Sequence, residues 1–436
     1  MKFTINLFRL GWPFLALIVG LNPVGLSRAL AQTNGVNQPL RLDDALRLAL
    51  SRNPEIRRNL ARVEAATGRA DQAGRWPNPE LELVAEDVPG RSGELSESKT
   101  LIGVAQTVPF PGKPKAERAI GRHGLRAQEA ERAAGEIALV RDVKLAFWKV
   151  LAAEVELQVT RELTAMAESS ARLARVRVES GELAYPAQLR AEVEWEQARN
   201  EARNAQQSVA LARQELARLI GQPDLQEAPV AGTLDEIAGE PPMRRRPADW
   251  PMHHPDLQAG RARMAEASAA TRRAALAPYP DVRLSVAGGR DGAADASIME
   301  FRIGLPLPIF DRAKGNRQEA EARFTEAEAQ LQATELRLRR DWDAAAERYH
   351  TAVAQVTRCR EQILPKATEA LQLVQTGFEY GKFGFLDLLD TQRTVAEARL
   401  AYQRQLFELH AAEVELEALL GAPVESFPPP TLNPTP

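Results

Sequence analysis

The sequence predicts a mainly α-helical chain with a small β part, organised as a duplicated unit of helix, β-hairpin and long helical hairpin. Three observations carry that prediction. Ala, Glu, Arg, Leu and Gln dominate the 436 residues and aromatics make up only 6%, a composition of long helices and coiled coils. A shift of 200 positions lays Leu173, Glu179, Gly181, Leu189, Ala212, Leu216, Leu219, Gly221 and Pro223 onto Leu373, Glu379, Gly381, Leu389, Ala412, Leu416, Leu419, Gly421 and Pro423 without a gap. A constant register over that length marks an internal repeat. Finally, the apolar period switches from helical spacing to alternation at two places, one per repeat.

Composition bounds the function. The formal charge is −3, with no basic stripe, so nucleic acid is not expected as a partner. The single cysteine, Cys359, excludes an internal disulfide and a cysteine zinc cluster. No phosphate loop, H-E-x-x-H or G-x-S-x-G stretch occurs, so neither catalysis nor a cofactor is expected.

Residues 1–31 read as a secretory signal. Lys2 and Arg9 give a positive start, an apolar core follows, and Ala29-Leu30-Ala31 forms a cleavage site between Ala31 and Gln32. The alternative is a membrane-anchoring helix. No later apolar run suits a membrane helix, so the exported chain either stays soluble or enters a membrane as β-strands. The first repeat then spans 32–224, a connector 225–253, the second repeat 254–421 and a proline-rich tail 422–436.

Within the first repeat, Leu40 to Leu50 predicts a short amphipathic helix capped by Asp43, and Pro54 to about Gly74 a second. Leu81, Leu83 and Ala85 alternate with Glu82, Val84 and Glu86. Across a polar loop, Gly90 to Glu97, a second alternating run covers Lys99 to Val108. The pair predicts an antiparallel hairpin within 80–108. From Pro114 to Ser180 no further proline appears and helical spacing is kept, which predicts a helix of roughly 100 Å at about 1.5 Å per residue. Gly181 to Pro186 reverses the chain, and a helix returns to Ile220.

The second repeat follows the same plan. Pro54 and Pro79 land on Pro255 and Pro280 at a shift of 201, and Pro109 and Pro111 on Pro306 and Pro308 at 197. A deletion therefore falls in the second hairpin loop, Gly288 to Ala296, with strands within 280–307. Met299, Phe301, Ile303 and Leu305 alternate there with Ile298, Glu300, Arg302 and Gly304. A long helix runs from Asp311 to a second tip at 380–386, interrupted and kinked by Pro365.

The hairpins are apolar on one face and charged on the other, the pattern of an outer-membrane barrel. Four strands cannot close a barrel, and an open edge is not tolerated in lipid. Several chains must therefore share one barrel, and three would give twelve strands. The alternative is two soluble hairpins packed on a helical core.

At the second tip, Tyr380-Gly381-Lys382-Phe383-Gly384, two glycines break the helix. Asp387 and Asp390 follow, three apart and on one side of the next turn. These acids also suit a helix N-terminus without further function. Met252-His253-His254 is the one cluster of soft ligands; without an evident third ligand, solvated histidines are the preferred reading and no metal site is expected. Cys359 reads as a buried structural thiol.

The signal, the duplicated plan and the tip Gly381 to Thr391 resemble the TolC family of bacterial outer-membrane efflux channels. Leu42-Asp43-Asp44-Ala45-Leu46, Asn53-Pro54-Glu55-Ile56, Trp76-Pro77-Asn78-Pro79 and Pro111-Gly112-Lys113 resemble most the CzcC-type heavy-metal branch. The resemblance implies a homotrimer in the outer membrane of a Gram-negative bacterium, with a twelve-stranded barrel in lipid and an α-helical tunnel in the periplasm. It implies a periplasmic adaptor and an inner-membrane pump of the resistance–nodulation–division type as partners. Leu386-Asp387-Leu388-Leu389-Asp390 matches the family's aspartate gate, so Asp387 and Asp390 are expected to ring the pore, a setting that favours cations. The first repeat carries Ala187 and Arg190 there instead. Gly181, Leu183 and Ala184 in one tip and Gly381, Phe383 and Gly384 in the other are expected to dock the adaptor. Two other readings remain open: the same channel serving drugs, dyes or secreted polypeptides, and a periplasmic coiled-coil scaffold with no pore.

Overall fold

A computed structural model describes residues 39–86, 98–224, 229–235 and 250–421. The signal segment with Ala31 and Gln32, most of the first hairpin loop, the connector at 225–228 and 236–249, and the tail from 422 lie outside the described residues.

The first repeat contains α1 (Leu42–Arg52), α2 (Pro54–Gln72), β1 (Glu80–Glu86), β2 (Lys99–Val108), α3 (Lys113–Glu179) and α4 (Tyr185–Ile220). The second contains α5 (Pro255–Ala275), β3 (Val282–Asp291), β4 (Ala296–Gly304), α6 (Lys314–Arg358), a π-helical turn (Cys359–Ile363), α7 (Leu364–Glu379) and α8 (Phe385–Leu420). At about 1.5 Å per residue, the 67 residues of α3 extend roughly 100 Å. The helical tunnel wall expected from the sequence therefore has its length within one chain.

Several boundaries differ from expectation, each for a local reason. Asp43 does not cap α1. Arg41 holds the N-cap position, and Asp43 lies inside the first turn. Leu40 instead lies beside Val230 in a parallel bridge, with Leu40 N–H donating to Pro229 O at 2.7 Å. Leu40 is thus drawn into a strap that brings the connector back onto the core.

The second long helix begins at Lys314 rather than Asp311, because the Asp311 carboxylate accepts from Ala313 N–H at 2.8 Å and closes a turn. Pro365 does not simply break the helix. The five residues Cys359–Ile363 widen into a π-helical turn just before it, a known response to a proline that cannot donate.

The four strands form one antiparallel sheet in the order β1-β2-β3-β4. β3 runs to Asp291, so Gly288 and Gly289 belong to the strand and not to the loop. Glycine is required at 289: a Cβ there would stand 1.8 Å from the carbonyl oxygen of Thr100 on β2. Conversely, β4 ends at Gly304, so Leu305 lies past the strand. Tyr185, Pro186, Phe385 and Leu386 fall in the first turns of the returning helices rather than in the tips. Proline is at home there because its missing N–H would be unpaired anyway.

Two buried clusters hold the helices together. The larger joins α1, the middle of α3, the C-terminal part of α4, α6 and α8, with Phe147, Val143, Val150, Ile220, Leu234 and Leu406 almost fully buried. The smaller lies near the tips and gathers Ala171, Ala174, Ala191, Leu371, Phe378, Phe385 and Leu388. Small residues dominate where the long helices touch. Their lack of bulk lets the axes approach closely along an extended contact. Among the described residues, no helix is long and apolar enough to cross a membrane.

Candidate functional site

Two apolar rows can be followed across all four strands. Leu81, Val104, Val286 and Phe301 are register partners in succession, and so are Leu83, Ile102, Gly288 and Met299. Their side chains share one face. That face is bare of protein: Phe301 is 75% and Ile303 77% exposed.

The rows between them carry the charges. Arg283 pairs with Glu80 at 2.8 Å and with Glu82, Arg302 with Glu300 at 2.8 Å and with Glu86 at 3.5 Å, and Lys99 with Glu86 and Glu300. Arg302 is on β4 and Glu86 on β1, three strand spacings apart. They are also six residues out of register, since Glu86 aligns through Lys99 and Asp291 with Ala296, so at about 4.8 Å per spacing and about 3.3 Å per residue a flat sheet would separate their backbones by roughly 24 Å. The charged face is therefore concave and the apolar face convex. This is the curvature of a barrel segment with a charged interior.

The opposite end of the molecule is formed by the two tips, and they match bond for bond. Gly181 N–H donates to Val178 O, and Glu182 and Leu183 N–H to Arg177 O. Gly381 N–H donates to Phe378 O, and Lys382 and Phe383 N–H to Gly377 O. Both are the glycine-ended helix stop whose reversal needs a left-handed residue, supplied by Gly181 at φ 79° and Gly381 at φ 69°. Gly384 is different. It has φ −78° and is the N-cap of α8, so its backbone does not require glycine.

The expected docking residues are not alike in exposure. Gly181, Ala184, Gly381, Phe383 and Gly384 are exposed, whereas Leu183 is half-buried against the tip cluster. The Phe383 ring lies over Gly377, where a Cβ would meet it at 2.3 Å. In the first tip the sizes are exchanged, with Arg177 opposite Leu183. Arg177 also reaches across to the second hairpin, its guanidinium 4.4 Å from the centre of the Phe378 ring.

Asp387 and Asp390 are both exposed at the start of α8. They are not equivalent. The Asp387 carboxylate accepts the Gly384 N–H at 2.8 Å and caps the helix, while Asp390 faces no such donor and has Arg393 as its charged neighbour.

The histidine pair is corrected in part. His254 is not solvated: it is buried, caps α5 through Nδ1 accepting from Asp256 N–H at 3.2 Å, and bonds the backbone of Ala418. Its burial pushes the imidazole pKa below the ordinary value. Asn53, at a shift of 201, does the same work. It accepts from Glu55 N–H at 2.7 Å and donates to Leu219 O at 2.8 Å. Each cap ties a short helix to the end of a returning long helix, against Gly221 or Gly421. The sequence carries the signal in the paired Asn53-Pro54-Glu55 and His254-Pro255-Asp256, which align at their prolines. No cluster of three metal-ligating side chains occurs among the described residues, and Cys359 is buried.

The chain is similar to known proteins in family, sequence and fold. The family described as Outer membrane efflux protein matches residues 45–222 and 252–422, one match in each repeat. The chain is 29% identical over 392 residues to the cobalt-zinc-cadmium resistance protein CzcC of Cupriavidus metallidurans, covering 88% of this chain and 90% of that one. It is 27% identical to the nickel and cobalt resistance protein CnrC of the same organism, over 77% and 78% of the two chains. It is 24% identical to the toluene efflux pump outer membrane protein TtgF of Pseudomonas putida, over 86% and 81%. Its fold matches the solved structure of CusC, described by its conformational changes on folding and transmembrane channel formation, with a TM-score of 0.76 at 19% identity and over 90% and 96% of the chains.

Proposed function

The chain belongs to the outer membrane efflux protein family, and from that premise we propose that it is the outer-membrane duct of a tripartite pump whose cargo is heavy-metal cations. It resides in the outer membrane and acts as a conduit, not as an enzyme. Three copies close a twelve-stranded barrel, and their helical hairpins form a tunnel toward the inner membrane. A periplasmic adaptor grips the tips and a resistance–nodulation–division pump loads the cargo.

The observation that carries the reading is the single sheet, convex and apolar outside, concave and charged inside, at one end of helices roughly 100 Å long at about 1.5 Å per residue. A scaffold without a pore has no use for a bare apolar sheet face. The concave face carries Glu80, Glu82, Glu86 and Glu300 against Lys99, Arg283 and Arg302, an acid excess that suits cations. The higher identity to CzcC and CnrC than to TtgF favours metal over solvent cargo.

Two measurements test it. The detergent-extracted oligomer should conduct ions in a planar bilayer; an inert oligomer would leave only the scaffold. Expression with its pump and adaptor in a sensitive strain should restore tolerance to zinc, cadmium or cobalt salts. Tolerance restored to toluene but not to metals would move the cargo to the second channel reading.

A further inference from the structure

Where the strands give way to helices, the surface changes from apolar to basic. An aromatic residue stands just outside three of the four strands at that end: Trp76 before β1, Tyr279 before β3 and Phe310 after β4, 55%, 51% and 99% exposed. Exposed aromatics bordering an apolar sheet face mark the edge of the hydrocarbon. Beyond them the first turns of α3 carry Lys115, Arg118, Arg122 and Arg126, all exposed. Their spacing of three and four puts them on one face of the helix. Glu129 is the first exposed acid on that face.

The face looks away from the neighbouring helices. Gly121 approaches Ala70 and Ala73 of α2, and Gly124 approaches Glu266 of α5. The two glycines are a single turn apart, so both neighbours lie to one side of α3 and the cations to the other. The stripe is therefore on the convex side of the helical layer. A barrel shared by several chains puts that side outside, as it does the convex apolar face of the sheet.

Nearby acids are engaged elsewhere. Glu117 pairs with Arg273 at 2.8 Å, Glu131 with Arg263 at 2.8 Å and Asp281 with Lys113 at 2.9 Å. Among the described residues, Lys115, Arg122 and Arg126 have no ion-pair partner. The Arg118 guanidinium donates to a backbone oxygen, that of Gly74, at 3.1 Å. Burial, then Arg126, Arg122 and Arg272, hold the His123 imidazole below its ordinary pKa, so the positive field is felt locally. The second long helix opens alike, with Arg312 just before α6 and Lys314 at its first residue, both exposed.

We propose that Lys115, Arg118 and Arg122, with Lys314 of α6, form a collar that binds anionic phospholipid headgroups in the periplasmic leaflet. The inference rests on the outer-membrane channel reading and names the lipid class at its border. Residence in a membrane asks only for apolar surface, whereas unpaired cations at the headgroup layer ask for phosphate. The stripe starts directly below the aromatic level. A helix tilts its Cα–Cβ bonds toward its N-terminus, which for α3 and α6 is the end nearest the sheet. Their long side chains thus lean back toward the bilayer and can place their charges among the headgroups. Lys and Arg clustered beside a membrane segment recognise anionic lipid in this way. Depth grades the stripe. At about 1.5 Å per residue, Arg126 lies roughly 16 Å further along α3 than Lys115, well past the screening distance of about 8 Å in physiological salt.

The test uses the full-length oligomer extracted from outer membranes. Native mass spectrometry reads its retention of added phosphatidylglycerol and of zwitterionic phosphatidylethanolamine. The parent should retain phosphatidylglycerol more tightly, and the preference should fall as ammonium acetate is raised. Each cation contributes about fivefold at such a surface, so Lys115→Gln with Arg122→Gln should weaken phosphatidylglycerol roughly 25-fold and leave phosphatidylethanolamine unchanged. Arg126→Gln should act less than Lys115→Gln. A parent indifferent to headgroup charge, or an intact double variant with undiminished preference, would overturn the collar and leave the stripe a solvated face. If the double variant fails to assemble, the parent decides: a preference that salt does not weaken would overturn the collar too. Conductance of the parent in a planar bilayer reads the channel separately. A conducting oligomer that ignores headgroup charge removes the collar alone, whereas a non-conducting one overturns the channel reading and the collar with it.

Discussion

The gate reading of Asp387 and Asp390 can be tested without confusing it with helix capping, because only one of the two carboxylates caps. Asp387 holds the Gly384 N–H at 2.8 Å. Replacing it with Ala removes the cap and costs about 1 kcal/mol per chain. Asp387→Asn keeps an acceptor oxygen and should cost only a few tenths. Asp390→Asn breaks no hydrogen bond and should leave stability within about 0.5 kcal/mol. Its effect on charge is large by comparison. In water, two unit charges about 4 Å apart interact by roughly 1 kcal/mol, which is about fivefold in occupancy for a cation touching one carboxylate. Beyond about 8 Å, physiological salt screens most of that. Single-channel recording of Asp390→Asn should therefore show reduced cation selectivity and several-fold weaker block by multivalent cations, in an oligomer as heat-resistant as the parent. Asp387→Asn should act in the same direction, and Asp387→Ala should add a loss of heat resistance. Recordings of Asp390→Asn indistinguishable from the parent, in an intact oligomer, would remove this residue from the gate and leave Asp387 as a cap.

Other outcomes follow from the same geometry. Phe301→Arg on the convex face should cost about 2–4 kcal/mol near the bilayer midplane, seen as loss of oligomer yield; unchanged yield and heat resistance would refute the register. Gly381→Ala, at φ 69°, should strain the turn by about 1–2 kcal/mol, whereas Gly384→Trp at φ −78° should leave the oligomer folded and abolish adaptor capture; loss of the oligomer itself would make Gly384 a turn residue only. Gly377→Ala should expel the Phe383 ring, since a Cβ there meets it at 2.3 Å, and a structure of that variant with the ring unmoved would contradict the packing. His254→Ala leaves Asp256 N–H unpaired and should cost about 1–3 kcal/mol, while His254→Asn, which copies Asn53, should cost less. Burial lowers the folded pKa of His254 below its ordinary 6.5. Protons therefore bind the unfolded chain first, and this contribution to stability is full above that value and declines as pH falls below it. The dissociation temperature should drop from pH 7.5 to pH 5 and drop less in His254→Asn; equal drops would clear His254 of the effect.

The parts of the fold legible in the sequence were those set by repetition. Long runs without proline in α3 and α4, and alternation in β1 to β4, each restate one local preference many times, so single exceptions do not obscure them. The tips were legible because Gly181 and Gly381 perform a backbone conformation that few other residues adopt. Features set by one contact were not. Leu40 leaves the first helix because the connector returns to it from Pro229, an encounter far apart in sequence. The π-helical turn at Cys359–Ile363 spreads the disturbance of Pro365 backwards, where no residue type announces it. The buried role of His254 was hidden because a histidine carries no sign of burial, although its partner Asn53 in front of a proline does mark a cap.

The duplication gives one chain two halves built on one plan, so positions where the halves differ carry information that neither half carries alone. Where both must do the same mechanical work they agree even with unlike residues: Asn53 and His254 cap alike, and both tips make the same three reversal hydrogen bonds. Where they disagree, the disagreement follows position in the assembly. The acids at Asp387 and Asp390 are matched by Ala187 and Arg190 in the first half, so a ring of three chains would alternate acidic sites with neutral and basic ones instead of repeating the acids sixfold. Of the ion pair Lys113 and Asp281, the lysine becomes Phe310 at the shift of 197 while the aspartate stays acidic as Glu80 at 201. The second half thus differs from the first at the tip and just beyond the sheet, and each difference changes the charge that one end of the chain presents.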